Sequence, residues 1–326
     1  MPLIAAPVTP EVPPIVPPVE IPDVGYAAIT YIDPTGTRWP MTDTSLDWYT
    51  LADGVSGLGA APYVLTSDPH PRGGARLRHV QAQPRTIVWP VLVRGRDHTD
   101  FMDRWRALGR AFTRTLQERR PGLLEVALAD GRVRQIAVYY QDGWDGRGQH
   151  ATGITWDSAV VTLWCEDPYW VSTTPVTVHR EAGAQVDYLV PYPSVSSSQV
   201  LGETTVTNPG DVNVWPTWVV TGPAAAITFT RKNTARAGQP DNSAAFTLTM
   251  TDTVHGELLA GETVTISTDP PSVRSGTGEN LVGGLNWPGA VLWPLPPGDT
   301  PVTFALAGAE TGSAVDLVFY PRYETA

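Results

Sequence analysis

The residues able to do chemistry are few and poorly spaced for it. The one cysteine, Cys165, closes a strand-like run, VVTLWC, and is followed by Glu166 and Asp167 rather than by a histidine. A thiol becomes a nucleophile only when a base or a positive environment lowers its pKa, so Cys165 reads as an inert core thiol. Being alone, it closes no intrachain disulfide. The six histidines, His70, His79, His98, His150, His179 and His255, form no HExxH pair and no Cys/His set at zinc spacing. Glu166 and Asp167 are adjacent, which in a strand sends them to opposite faces and makes them a poor acid and base pair. No catalytic residue, metal or cofactor is expected.

Glycine and aromatic positions offer two other chemistries. The stretch Gly54-Val55-Ser56-Gly57-Leu58-Gly59 matches neither GxGxxG nor GxxxxGK[ST], no helical pattern opens after it, and Leu58 stands where a GxSxG elbow needs glycine. It reads as a loop, extending through Asp68-Pro69-His70-Pro71. Trp287 and Trp293, with Asn286, are candidate glycan contacts, although a core role suits Trp293 better.

The elements that would position any site are mostly strands. Thirty glycines and 32 prolines with only 17% charged residues favour turn-rich β-structure. Residues 1–23 carry eight prolines and read as an extended arm, with Ile4, Val12, Ile15, Val16 and Ile21 as contacts. Ala27–Ile32 and Thr37–Met41 read as a hairpin, and Arg76–Gln81 is expected to pair with Thr86–Arg94 through Gln83-Pro84-Arg85. One helix is expected from Asp97, its N-cap, to about Gln117, with Phe101, Trp105, Leu108, Phe112 and Leu116 on its buried face. Its other face carries Arg104 and Arg110, suited to solvent or to a subunit interface.

After the helix, Leu123–Ala129 and Arg132–Tyr140 flank Asp130-Gly131, a type I′ signal. Thr155–Cys165 looks buried on both faces and so central in a sheet. A connection is expected over 171–200. Beyond it, short runs from Thr204 to Tyr320, among them Val291–Trp293, read as an antiparallel sandwich. The chain therefore divides into an arm (1–23), a first domain (24–170), a connection and a second domain (201–326).

The charge of −11 is uneven: residues 24–170 balance 16 basic against 16 acidic residues, and 171–326 carry 6 against 14. That acidity opposes gripping duplex DNA by phosphate neutralisation. No apolar run approaches the ~20 residues of a membrane span, and the N-terminal stretch lacks the basic start and apolar core of a secretory signal.

Several of these stretches carry a resemblance. LWCEDPYW (Leu163–Trp170) is similar to the closing of the N-terminal domain in distal tail proteins of long-tailed bacteriophages. RTIVWPVLVRG (Arg85–Gly95), the single amphipathic helix and the paired strands after it follow the order of that domain. VTNPGDVNVWPTWVVTGPA (Val206–Ala224), LWPLPPGDTPVTF (Leu292–Phe304) and LVFYPRYETA (Leu317–Ala326) resemble the second domain of such proteins.

The resemblance implies a mainly β protein: a β-sandwich-like N-terminal domain with one helix, then a galectin-like antiparallel sandwich. It implies a structural, non-enzymatic component of the virion at the tail tip, made in the host cytoplasm. A homohexameric ring would meet the tail-tube protein on one side and the tail-tip hub and receptor-binding proteins on the other, with no specific nucleic acid and no membrane insertion. Arg104, Arg110, Tyr169 and Trp170 are its candidate interface residues. The competing expectation is a carbohydrate-binding tail adhesin contacting the host cell wall.

Overall fold

A computed structural model describes residues 27–51, 54–146, 153–182, 202–232 and 243–326. The arm at 1–23 lies outside them. The chain is mainly β and builds two bodies, each around its own apolar core.

The first body contains β1 (Ala28–Ile32), β2 (Arg38–Pro40), β3 (Trp48–Thr50), β4 (Tyr63–Pro69), β5 (Ala75–Ala82), β6 (Arg85–Arg94), α1 (His98–Gln117), β7 (Gly122–Ala127), β8 (Val133–Asp142), β9 (Trp156–Cys165) and β10 (Trp170–Ser172). One antiparallel sheet runs β2-β1-β7-β8-β9-β6-β3, with β10 pairing β8. The helix starts where expected, Asp97 capping it by accepting from the Asp100 amide at 2.9 Å. Phe101, Trp105, Leu108 and Phe112 are buried in this core, but Leu116 is exposed and Thr115 takes the next place on the stripe. A 3.6-residue turn brings 115 as near the stripe as 116. The Thr115 hydroxyl uses that position to accept the Tyr140 amide. Trp144 closes the core from outside, stacked on Trp105 at 4.3 Å. It lies so close to Gly109 that a Cβ there would stand 2.5 Å from its indole nitrogen.

The second body contains β11 (Val176–Glu181), β12 (Glu203–Asn208), β13 (Thr217–Thr221), β14 (Ala226–Arg231), β15 (Ala244–Thr249), β16 (Thr263–Thr268), β17 (Pro271–Ser275), β18 (Gly298–Ala307) and β19 (Ala314–Phe319). Two antiparallel sheets, β11-β19-β13-β16-β17 and β12-β18-β14-β15, pack face to face. Trp218 of one sheet meets Phe229 and Phe246 of the other, with Trp293 edge-on at 5.1 Å. The last strand, β20 (Arg322–Tyr323), leaves this body and pairs with β10 of the first.

Four expectations are corrected. β5 pairs with β4, inside the expected loop, and not with β6. Residues 171–182, expected as connection, carry β10 and β11, and β11 is an edge strand of the second body. Val291–Trp293 is not a strand; it follows a turn, and Val291 donates to the Ala245 carbonyl. At Asp130-Gly131 only Gly131 takes positive φ, whereas a type I′ turn needs it at both central residues.

Candidate assembly site

Among the described residues, the hairpin β4–β5 has little support from the rest of its chain. Its tip, His70-Pro71-Arg72-Gly73-Gly74, is possible because Gly73 and Gly74 adopt φ near +90° and +80°. The register pairs Tyr63 with Ala82, Leu65 with Val80 and, after a bulge, Ser67 with Leu77. Alternation then puts Tyr63, Leu65, Leu77 and Val80 on one face. Nothing among the described residues covers that face: Leu65 is 64% exposed and Leu77 55%. The other face holds Thr66, Asp68, Arg76, His79 and Gln81 with Val64. An isolated two-stranded hairpin is marginal in water.

A second uncovered apolar surface lies on the main sheet. β9 sends Asp157, Ala159, Val161, Leu163 and Cys165 inward, and Trp156, Ser158, Val160, Thr162 and Trp164 outward. Trp156 is 59% exposed and Val160 53%, so the strand is central, as expected, but buried on one face only. The alternating tryptophans imitate a doubly covered strand because an interface needs the same residue types as a core. Facing them from β6 are Thr86, Val88, Leu92 and Arg94, and Tyr139 lies 6.1 Å from Trp164.

The hairpin is anchored at its base. Glu324 accepts from the Ala61 amide at 2.9 Å and from the Tyr63 hydroxyl, which also lies 3.2 Å from that of Tyr169. The bond to Glu324, and then that to Tyr169, raises the Tyr63 phenol above its ordinary pKa. Just past the returning strand, where β6 opens, buried Arg85 donates to the carbonyls of Gly57, Gly59 and Glu324. Arg322 pairs with Asp167 and lies over the rings of Tyr169 and Trp215.

The expected site residues scatter across this arrangement. Arg104 is engaged within the chain by Asp47 and Asp100. Arg110 is exposed beside the groove formed by Trp105, Arg106, Gly109 and Trp144. Tyr169 lies at the hairpin base, and Trp170 is fully buried between β8 and β20, so it joins parts of one chain. Trp293 is also fully buried and has no surface to offer a sugar. Asn286 is used internally, accepting the Thr247 amide, and Trp287 is exposed with its indole N–H donated to Val282. The hairpin was hidden from sequence reading by its Pro/Gly tip, although alternation at Tyr63–Leu65 and Leu77–Val80 is a signal that could have found it.

Burial pushes the Cys165 thiol up to about 12, against the smaller opposing pull of Arg85. His255 is held by Glu279 at 2.7 Å and Glu262 at 3.2 Å, and among the described residues no cluster of metal-ligating side chains forms.

No family model and no curated protein matches the chain. Among solved structures, it is similar to the crystal structure of the Dit protein of phage SPP1, described as a paradigm of the hub adsorption apparatus in phages infecting Gram-positive bacteria. The TM-score is 0.60 and the identity 15%, over 91% of this chain and 99% of that one. A chain in the baseplate of phage P2, in its activated conformation with calcium, is similar at TM-score 0.49 and 11% identity, over 92% of this chain and 100% of that one.

Proposed function

From the fold shared with the SPP1 Dit protein, we propose that this chain is a structural component of a phage tail, a distal tail protein without catalytic activity. Its first body assembles as a homohexameric ring in the virion. The ring links the tail-tube protein to the tail-tip hub and the receptor-binding proteins, and the second body stands beside it as a galectin-like sandwich.

The observation that carries the reading is the pair of uncovered apolar surfaces on the first body. The hairpin face (Tyr63, Leu65, Leu77, Val80) and the sheet face (Trp156, Val160, Trp164) are different patches of one chain. A patch that meets a different patch on the next copy makes a heterologous contact, which closes into a ring when the rotation allows. Fully burying an aliphatic side chain contributes about 1.5–3 kcal/mol, so a few such residues can order a hairpin that has no core of its own.

Sedimentation and native mass spectrometry test the proposal. A species of six copies is expected at micromolar protein. A chain that stays monomeric at high concentration and inside tails overturns it.

A further inference from the structure

Glu324 belongs by sequence to the segment that follows the second body, yet most of its contacts lie in the first. Pro321 accepts from the Ser172 amide at 2.9 Å, Arg322 and Tyr323 pair with Val171 and Trp170, and Arg134 donates to the Thr325 carbonyl with its guanidinium 3.7 Å over the Tyr323 ring. The Ala326 amide donates to Leu58 at 3.1 Å. Between these ties, Glu324 grips the outgoing root of the hairpin, its carboxylate taking Ala61 and Tyr63, while its carbonyl takes Arg85, where the chain re-enters the main sheet at the start of β6. Its own amide donates to Asp211 of the second body at 3.1 Å. One residue thus touches the hairpin, the main sheet and the second body.

We propose that segment 321–326 is a strap through which the second body fixes the direction of the hairpin, with Glu324 as its positioning residue. The consequence for assembly rests on the ring reading; the strap itself does not. The hairpin contributes no residue to the buried cluster of the first body, so what aims it is the hydrogen bonding at its roots. Releasing Glu324 frees the outgoing root while leaving both cores whole. A hairpin that samples many directions presents its apolar face to a second copy only part of the time, and the apparent affinity falls by that fraction.

The test uses the full chain and two variants, Glu324→Ala and Tyr63→Phe, with a fourth chain lacking residues 322–326. Hydrogen exchange is followed on dilute, unassembled protein, together with melting temperature. In Glu324→Ala the amides of 63–82 are expected to exchange about tenfold faster, with β13, β14 and β18 unchanged. Tyr63→Phe is expected to show a smaller effect in the same direction, and the shortened chain at least that of Glu324→Ala. Assembly of Glu324→Ala should need about tenfold higher protein concentration. Hairpin exchange identical in all four chains, or already unprotected in the parent, overturns the strap. If the parent chain never assembles, the ring reading falls, and the exchange comparison still decides the strap.

Discussion

Trp105 sits 2% exposed between Phe101 and Trp144, and truncating it removes an aromatic from the centre of the first core. Trp105→Ala is expected to cost roughly 3–5 kcal/mol, read as a lowered melting temperature of the first body. His255 makes a smaller, pH-dependent contribution. Its bonds to Glu279 and then Glu262 raise its pKa above 6.5, so the stabilisation is complete below about pH 6.5 and disappears as pH rises through the higher folded value. His255→Gln should therefore lower the melting temperature of the second body at pH 6 and leave it nearly unchanged at pH 9; equal losses at both would remove the charge from the explanation. At this scale the sequence was most readable for buried groups. Cys165 followed by two acids reads as inert, and its burial agrees. The sequence leans to a core role for Trp293, which is buried edge-on to Trp218, but gives no sign that Trp287 is exposed, because only three-dimensional packing sets that.

The hairpin β4–β5 is an element that no described residue removes from water. Leu65→Asp combined with Val80→Asp is expected to leave the melting temperature of the unassembled chain within about 1–2 °C, since neither side chain enters a core. The same pair should abolish the six-copy species in sedimentation. A large loss of monomer stability would mean that the hairpin packs on its own chain. Helix α1 was legible to the residue at its start because a capping aspartate and a periodic apolar stripe are local signals. Strand pairing was not: β5 could join β4 or β6 by pattern alone, and the choice lies with turn geometry at Gly73 and Gly74. β9 is central, as its apolar run implies, but one face only is buried, since its outward tryptophans meet no layer among the described residues.

For the whole molecule, two apolar cores form, and β11 beside β19 draws residues 176–181, expected as connection, into the second. A fragment of residues 173–320 is expected to fold alone with one cooperative melting transition, since it retains both sheets of the second body. Residues 201–326 lack β11, leave β19 a bare edge and carry a strap with nothing to hold; they should melt at lower temperature and aggregate more readily. Identical melting curves for the two fragments would show that β11 is dispensable. The chain crosses from the first body to the second after β10 and crosses back before β20, and the two crossings are hydrogen bonded side by side where Ser172 meets Pro321. A single tether would let the second body swivel. Two tethers, with Arg322 lying over Tyr169 and Trp215 and its carbonyl accepting the Asp211 amide, oppose that swivel. A torque on the second body is therefore delivered to the sheet of the first instead of being lost in a free joint.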